Sequence, residues 1–378
     1  MSLPALTLPM QWVFWLSVLA TAYLYFGFPL LLAVLSKLFA RPVRKGPVEP
    51  FVSLLIPAYN EADVIEEKLA ACRRLDYPAE KIEVVVASDG STDATCELVR
   101  PHADGARVRL LDFQQNRGKL AMLNAVVPEL HGEIVVFSDA ASMPSPNAVR
   151  DLASNFADPA VGAVSGVYRI ENRDSHQLGQ QAGFYWRYET WIKQKEAEIG
   201  SILGAHGALY AIRRELYPQL DPGVINDDFV IPLRIARAGW RVAYEPAAVA
   251  VEEAHEMGGF GRRIRIMTGN IEQLTEVFGF LWPPKQWLTL FFLLSHKAGR
   301  MFAPPAMIAA LVANSFLLDQ PLYQLTMAGQ LGFYALAAAG GLGLLPIKAL
   351  RLPYYFTMIN LAALVGLLRL LTGRRAWK

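Results

Sequence analysis

Phe51-Val52-Ser53-Leu54-Leu55-Ile56-Pro57-Ala58-Tyr59-Asn60-Glu61 and Glu83-Val84-Val85-Val86-Ala87-Ser88-Asp89-Gly90-Ser91-Thr92-Asp93 decide the fold. Each is a short apolar run, rich in β-branched residues, that stops abruptly in polar and turn residues. Such runs read as buried parallel strands with polar groups presented at their carboxyl ends. Between them, Val64, Ile65, Leu69 and Cys72 have helical spacing within Glu61–Leu75, which ends before Pro78. Strand, helix and strand make one βαβ unit, and ligands of open parallel sheets gather at the strands' carboxyl ends.

The alternation continues downstream. A helix to about His102 leads to a strand at Val108–Leu111, then Asn116-Arg117-Gly118-Lys119 and a helical pattern over Leu120–Leu130. The strand Glu133–Ser138 ends in Asp139-Ala140-Ala141-Ser142. This pattern predicts a doubly wound α/β domain. No G-x-G-x-x-G follows the first strand, so the dinucleotide fingerprint is absent. Further on, Val161–Tyr168 reads as a strand, His176–Glu198 as a long helix, and Gly204–Arg214 as a glycine-rich turn into a strand. Asn226-Asp227-Asp228 opens a helix through Arg237, and Val242–Val251 is a further strand.

The apolar residues are unevenly placed. Of 36 basic and 34 acidic residues in 378, only Lys37 falls in residues 1–40 and seven fall in 301–378. The run Met10–Ser36 is long enough to span a bilayer, since ~20 apolar residues suffice. It lacks the basic n-region of a signal peptide. Lys37, Arg41, Arg44 and Lys45 follow it and place the next domain in the cytoplasm. Further spans are expected at Phe302–Leu318, Gln324–Leu345 and Pro353–Leu370, while Trp287–His296 is too short to cross. Gly258–Gly279, with Arg262, Arg263 and Arg265 among apolar residues, reads as a basic amphipathic helix on the inner membrane surface. Residues 1–40 are thus an anchor, 41–257 a cytosolic domain, 258–300 interfacial helices, and 301–378 about three transmembrane helices. The expected setting is a multi-pass protein of the cell membrane with the 41–257 domain cytoplasmic. Cys72 and Cys96 fit neither a disulfide in that compartment nor a cysteine metal motif. A net charge of +2 points to no nucleic-acid partner.

Asp89, Lys119, Asp139 and the Asp227-Asp228 pair all stand at strand ends or helix starts. Singly, each reads as a turn, a cap or a helix-dipole charge. Together they supply a base-reading carboxylate, a cation for a pyrophosphate, a carboxylate near a hard divalent metal and a general base. That set suits transfer from a nucleotide-activated donor.

These residues resemble the membrane-bound family-2 glycosyltransferases of the GT-A fold, over roughly Pro50 to Gly269. Ile56-Pro57-Ala58-Tyr59-Asn60-Glu61 matches the opening strand motif, and Ser88-Asp89-Gly90-Ser91-Thr92-Asp93 the D-D-G-S-T-D motif. Asn116-Arg117-Gly118-Lys119 matches N-x-G-K. Phe137-Ser138-Asp139-Ala140-Ala141 stands at D-x-D, Asn226-Asp227-Asp228 at T-E-D, and Arg262–Ile266 where processive synthases carry Q-x-x-R-W. The resemblance implies a Rossmann-like, doubly wound mixed sheet and an inverting transferase that uses a nucleotide sugar, UDP-linked by expectation. It implies that Pro57, Tyr59, Glu61 and Asp89 hold the nucleoside, that Lys119 meets the phosphates, and that Asp139 meets the ribose or the metal. Asp228 becomes the base for an acceptor hydroxyl, with His206, Gly207, Arg213 and Asp227 on the acceptor side. Arg262 and Arg265 fall at the membrane interface near the diphosphate.

Three departures from the pattern matter. Ala141 replaces the second acid of D-x-D, so either a Mg²⁺ or Mn²⁺ ion is held by Asp139, the diphosphate and another side chain, with His255 the candidate, or binding is metal-poor. Ser88 replaces the first acid of D-D-G-S. Only the arginine of Q-x-x-R-W is kept, which favours transfer to a lipid-linked or polysaccharide acceptor over processive synthesis with export through the membrane helices. An inactive scaffold subunit is the reading from another class. Expected partners are the donor, the acceptor and membrane lipids, with a homo-oligomer or synthase complex left open.

Overall fold

The computed structural model describes residues 3–171, 177–221, 224, 226–253, 261, 264, 267–269, 271, 279, 286–344 and 352–372. Helix α1 runs over Leu3–Ala22, a π turn at Tyr23–Gly27 and Phe28–Phe39. Strands β1 (Val52–Ala58), β2 (Ile82–Asp89), β3 (Val108–Phe113), β4 (Ile134–Phe137), β5 (Met143–Pro144), β6 (Val161–Glu171), β7 (Tyr210–Arg213) and β8 (Arg241–Glu253) follow. They form one mixed sheet in the order β3-β2-β1-β4-β7-β6-β8-β5. The first four neighbours are parallel, β7 runs antiparallel between β4 and β6, and β8 pairs parallel with β6.

Helices α2 (Ile65–Arg73), α3 (Thr95–Val99), α4 (Lys119–Val126), α5 (Ala148–Ser154), α6 (Gln177–Ile199) and α7 (Asp227–Arg237) cover both faces. Alternate residues of β1 and β2 serve the two cores. Leu54, Ile56, Val84 and Val86 pack with Ile65, Leu69, Val149 and Leu152 on one side. Leu55 and Val85 pack with Met122, Leu123, Ile192 and Ile231 on the other. Because both faces are covered, the parallel strands β1, β2 and β4 are mostly apolar and the cleft's polar groups lie at their carboxyl ends. The short strand β5 and helix α5 were not evident in the sequence; β5 spans only two residues and carries no alternation.

The first helix of the C-terminal part differs from expectation. Trp287–His296 is not a separate short segment. Trp287–Phe292 continues through a π turn at Leu293–Ala298 into Gly299–Ser315, giving one helix, α8. Its polar residues turn inward onto α6 instead of breaking the helix. His296 sets Nδ1 2.7 Å from Glu196 and Nε2 3.0 Å from Glu189, and Arg300 lies 2.9 Å from Glu189. Phe28 of α1 lies against the His296 ring, and the Tyr23 hydroxyl is 2.8 Å from that of Ser295, so the two π turns meet.

Helices α9 (Pro321–Gly341) and α10 (Leu352–Leu371) complete the described chain. Among the described residues, two helices are long and apolar enough to cross a bilayer, Thr7–Phe39 and Leu352–Arg369. In α9, Thr326 and Gln330 lower the apolarity and instead meet Asn314 of α8 at 3.1 and 2.9 Å. Ile264, Thr268 and Ile271 are buried, Thr268 and Ile271 against Gly366 of α10.

His296→Ala removes a partner from the fully buried Glu196 and should cost ~3–5 kcal/mol. The readout is a lowered thermal unfolding midpoint; an unchanged midpoint would show that α8 is not anchored by this contact.

Candidate active site

The loop after β1 and the loop after β2 are zipped together. Asn60, at φ 56°, donates its N–H to the Ser91 hydroxyl and accepts from the Thr92 N–H through its side chain. Glu61 N–H donates to Thr95 Oγ1, and Ala62 N–H to Asp93. Ser88, where an acid was the family pattern, donates to Ser91 at 2.9 Å and so braces the same zipper. Tyr59 is half exposed above it, beside Pro57 at the end of β1. Burial raises the Glu61 carboxyl above its ordinary range, and repulsion from Asp139, Asp93 and Glu252 adds to this.

Asp89 is buried and accepts the N–H of Arg117 at 3.0 Å. Gly90 makes this possible: at φ +73° it lies so close to the next loop that a Cβ would sit 2.5 Å from Asn116 N. The tied loop delivers Lys119 to the first residue of α4. The Lys119 ammonium lies 3.3 Å from Asp139 Oδ1 and 3.2 Å from Asp227 Oδ2. Burial alone would lower this lysine, but Asp139, Asp227 and Asp228 outweigh it and hold it above the ordinary lysine range.

Gly207 closes the cleft from the opposite side. Its N–H donates to Asp228 Oδ2 at 3.1 Å, and the Ala205 N–H donates to the Asp228 carbonyl at 2.8 Å. A Cβ at position 207 would lie 3.2 Å from Asp228 Oδ2 and 3.5 Å from Asp139 Oδ2. The glycine therefore leaves a small open space between two carboxylates. Burial, reinforced by Asp227, pushes Asp228 up to about 6, against the opposing pull of Lys119 and Lys193. A carboxylate in that range can accept a proton near neutrality.

Asp89, Lys119, Asp139, Gly207, Asp227 and Asp228 thus belong to one cleft at the carboxyl ends of β1, β2 and β4. Two expected acceptor-side residues take other places. The His206 ring is buried below the turn against Tyr244, and burial, then Lys193, holds it well below the ordinary histidine range, so it is neutral. Arg213 is at the far end of the sheet, donating to the carbonyls of Val161 and Phe156. The reason is direction: β7 is antiparallel, so its residues lead away from Gly207, roughly 3.3 Å per residue. His255, Arg262 and Arg265 lie outside the described residues.

No group of three His, Cys, Asp or Glu positioned for a metal occurs among the described residues. The half-exposed Asp139 carboxylate meets Lys119 with Oδ1, and its Oδ2 borders the open space at Gly207. That fits a hard cation held by one carboxylate plus substrate phosphates and water. Sequence reasoning missed Lys68, a fully buried lysine under the Asp139–Ser142 turn. Its signal was position: it falls on the same helical face as Ile65, Leu69 and Cys72.

The family model described as glycosyltransferase like family 2 matches residues 49–268. A poly-β-1,6-N-acetyl-D-glucosamine synthase of Staphylococcus aureus (strain MSSA476) is 29% identical over 233 residues, 60% of this chain and 56% of that protein. The synthase of the same name from Staphylococcus epidermidis is 26% identical over 238 residues, 61% of this chain and 57% of that protein. The chain thus spans a little over half the length of these curated relatives. The solved mannosyltransferase PcManGT from Pyrobaculum calidifontis, in complex with GDP-Man and Mn²⁺, superimposes with TM-score 0.72 and 26% identity, covering 96% of this chain and 100% of that one. The chain belongs to glycosyltransferase-like family 2, and its sheet-based unit is a GT-A glycosyltransferase domain.

Proposed function

We propose that the protein transfers a sugar, with inversion, from a nucleoside-diphosphate donor to a hydroxyl of a lipid-linked or polysaccharide acceptor at the cytoplasmic membrane face. The observation that carries this reading is the meeting of Lys119, Asp139 and Asp228 around the open space at Gly207. In the reaction, Asp228 takes the acceptor's proton as its oxygen attacks the anomeric carbon. The new C–O bond forms opposite the breaking bond to the diphosphate. Lys119 is placed to balance the charge that the leaving group gains. A Mg²⁺ or Mn²⁺ ion held by Asp139 and the donor diphosphate would spread that charge further.

Donor base and product length have two readings each. Uridine is what the family resemblance around Asp89 implies, while the GDP-Man in the mannosyltransferase structure supports guanosine as the second candidate. The synthase names of the curated relatives support a polysaccharide product, and processive synthesis is the second reading there. The apolar helices Thr7–Phe39 and Leu352–Arg369, with Trp12, Leu16, Leu19 and Phe26 exposed, support a lipid surroundings for the chain.

Calorimetric titration of the purified protein with UDP and with GDP, each with Mn²⁺ and then with EDTA, is expected to give binding to one nucleotide that weakens when the metal is removed. Binding to neither would defeat the transferase reading. Asp228→Asn should lower turnover by about 10²–10⁴-fold while leaving nucleotide affinity intact. With Asp228 at about 6, its protonation should reduce kcat/KM about tenfold per pH unit on the acid side of that value. An acid limb near the ordinary aspartate value would assign the base to another group.

A further inference from the structure

Lys68 has no part in the chemistry above, yet its whole side chain is buried on the inner face of α2. Its ammonium donates to the Ser138 hydroxyl at 2.6 Å, to the Asp139 carbonyl at 2.9 Å and to the Ser142 carbonyl. Asp139–Ser142 is a tight turn, closed by the Ser142 N–H on the Asp139 carbonyl. The lysine therefore grips both carbonyl ends of the turn that carries the Asp139 carboxylate. The Ser138 hydroxyl passes the link on, donating to the Ala208 carbonyl at 3.0 Å. Gly207, the preceding residue, gives its N–H to Asp228. A continuous hydrogen-bonded path thus joins α2, the Asp139 turn and the turn that seats Asp228.

We propose that Lys68 is the positioning residue that sets the separation between Asp139 on the donor side and Asp228 on the acceptor side. This rests on the transferase reading above. A buried ammonium needs oxygen partners on every N–H, so all three contacts must form together. That requirement gives the two turns one relative position. The role also fits the loss of the second acid at Ala141: with one acidic side chain left on the turn, its placement rests on backbone carbonyls that Lys68 holds.

The test uses the full chain in lipid nanodiscs. UDP and GDP affinities are measured by calorimetry, and nucleoside-diphosphate release is followed from UDP-N-acetylglucosamine and GDP-mannose. In Lys68→Met, kcat should fall on the order of tenfold to a hundredfold, the size expected for a misplacement near 1 Å. The affinity for the matching nucleotide, measured in EDTA so that the Asp139-held metal does not enter, should stay within about threefold, because the loops zipped at Asn60 and Asp89 do not depend on Lys68. Ser138→Ala should lower kcat in part, and the double variant should be no slower than Lys68→Met, since both cut one path. Affinity falling in step with kcat, an unchanged kcat, or losses that multiply in the double variant would each overturn the positioning role. Should Lys68→Met not fold, Ser138→Ala decides alone, and an unchanged kcat in it overturns the role. A wild type that binds neither UDP nor GDP defeats the transferase reading and this role with it. A wild type that binds and turns over donor while the variants keep its kcat defeats the role alone.

Discussion

Three carboxylates, those of Asp139, Asp227 and Asp228, share one cleft, and Lys119 is the cation between them. At separations near 4 Å, like charges repel by about 1 kcal/mol in water and by several times that in a less polar setting. Contacts of 3.3 and 3.2 Å from Lys119 offset this for Asp139 and Asp227. Asp228 accepts a backbone N–H, and burial, reinforced by Asp227, displaces its carboxyl upward despite the pull of Lys119. The placement of Lys119 depends in turn on the Asp89–Arg117 hydrogen bond and the close approach at Gly90. Loss of that loop geometry would leave the cleft with unbalanced negative charge.

The sheet supplies the rest of the frame. Strands β1, β2 and β4 are parallel and covered on both faces, so their polar ends emerge together on one side. Strand β7 enters from that same side in the opposite direction, which brings the Ala205–Gly207 turn against the ends of its neighbours. Helix α6 then joins this unit to the helical part of the chain. One of its lysines, Lys193, reaches the Ala205 carbonyl, while Glu189 and Glu196 hold His296 of α8. The helical segment and the cleft therefore share a single supporting helix.

The departures from the family pattern acquire physical meaning in this frame. Ser88 gives up a charge and gains a hydroxyl that braces the paired loops. Ala141 gives up a metal-binding oxygen on a turn that Lys68 secures from beneath.

The sequence by itself determined the α/β alternation, the strand ends and the identity of Asp89, Lys119, Asp139 and Asp228. Apolar runs that stop in polar residues are local signals, and a parallel sheet translates them directly into a shared edge. Only the tertiary structure decided the fate of residues whose role depends on direction or depth. Arg213, six residues after Gly207, is carried to the far end of the sheet because β7 is antiparallel. His206, next to that glycine, turns its ring into the interior against Tyr244. Lys68 shares the apolar face of its helix, but only the fold brings three oxygens to its ammonium. His296, within an apolar run, becomes the partner of two glutamates about a hundred positions earlier. Such pairings are long-range, and no local period or propensity encodes them.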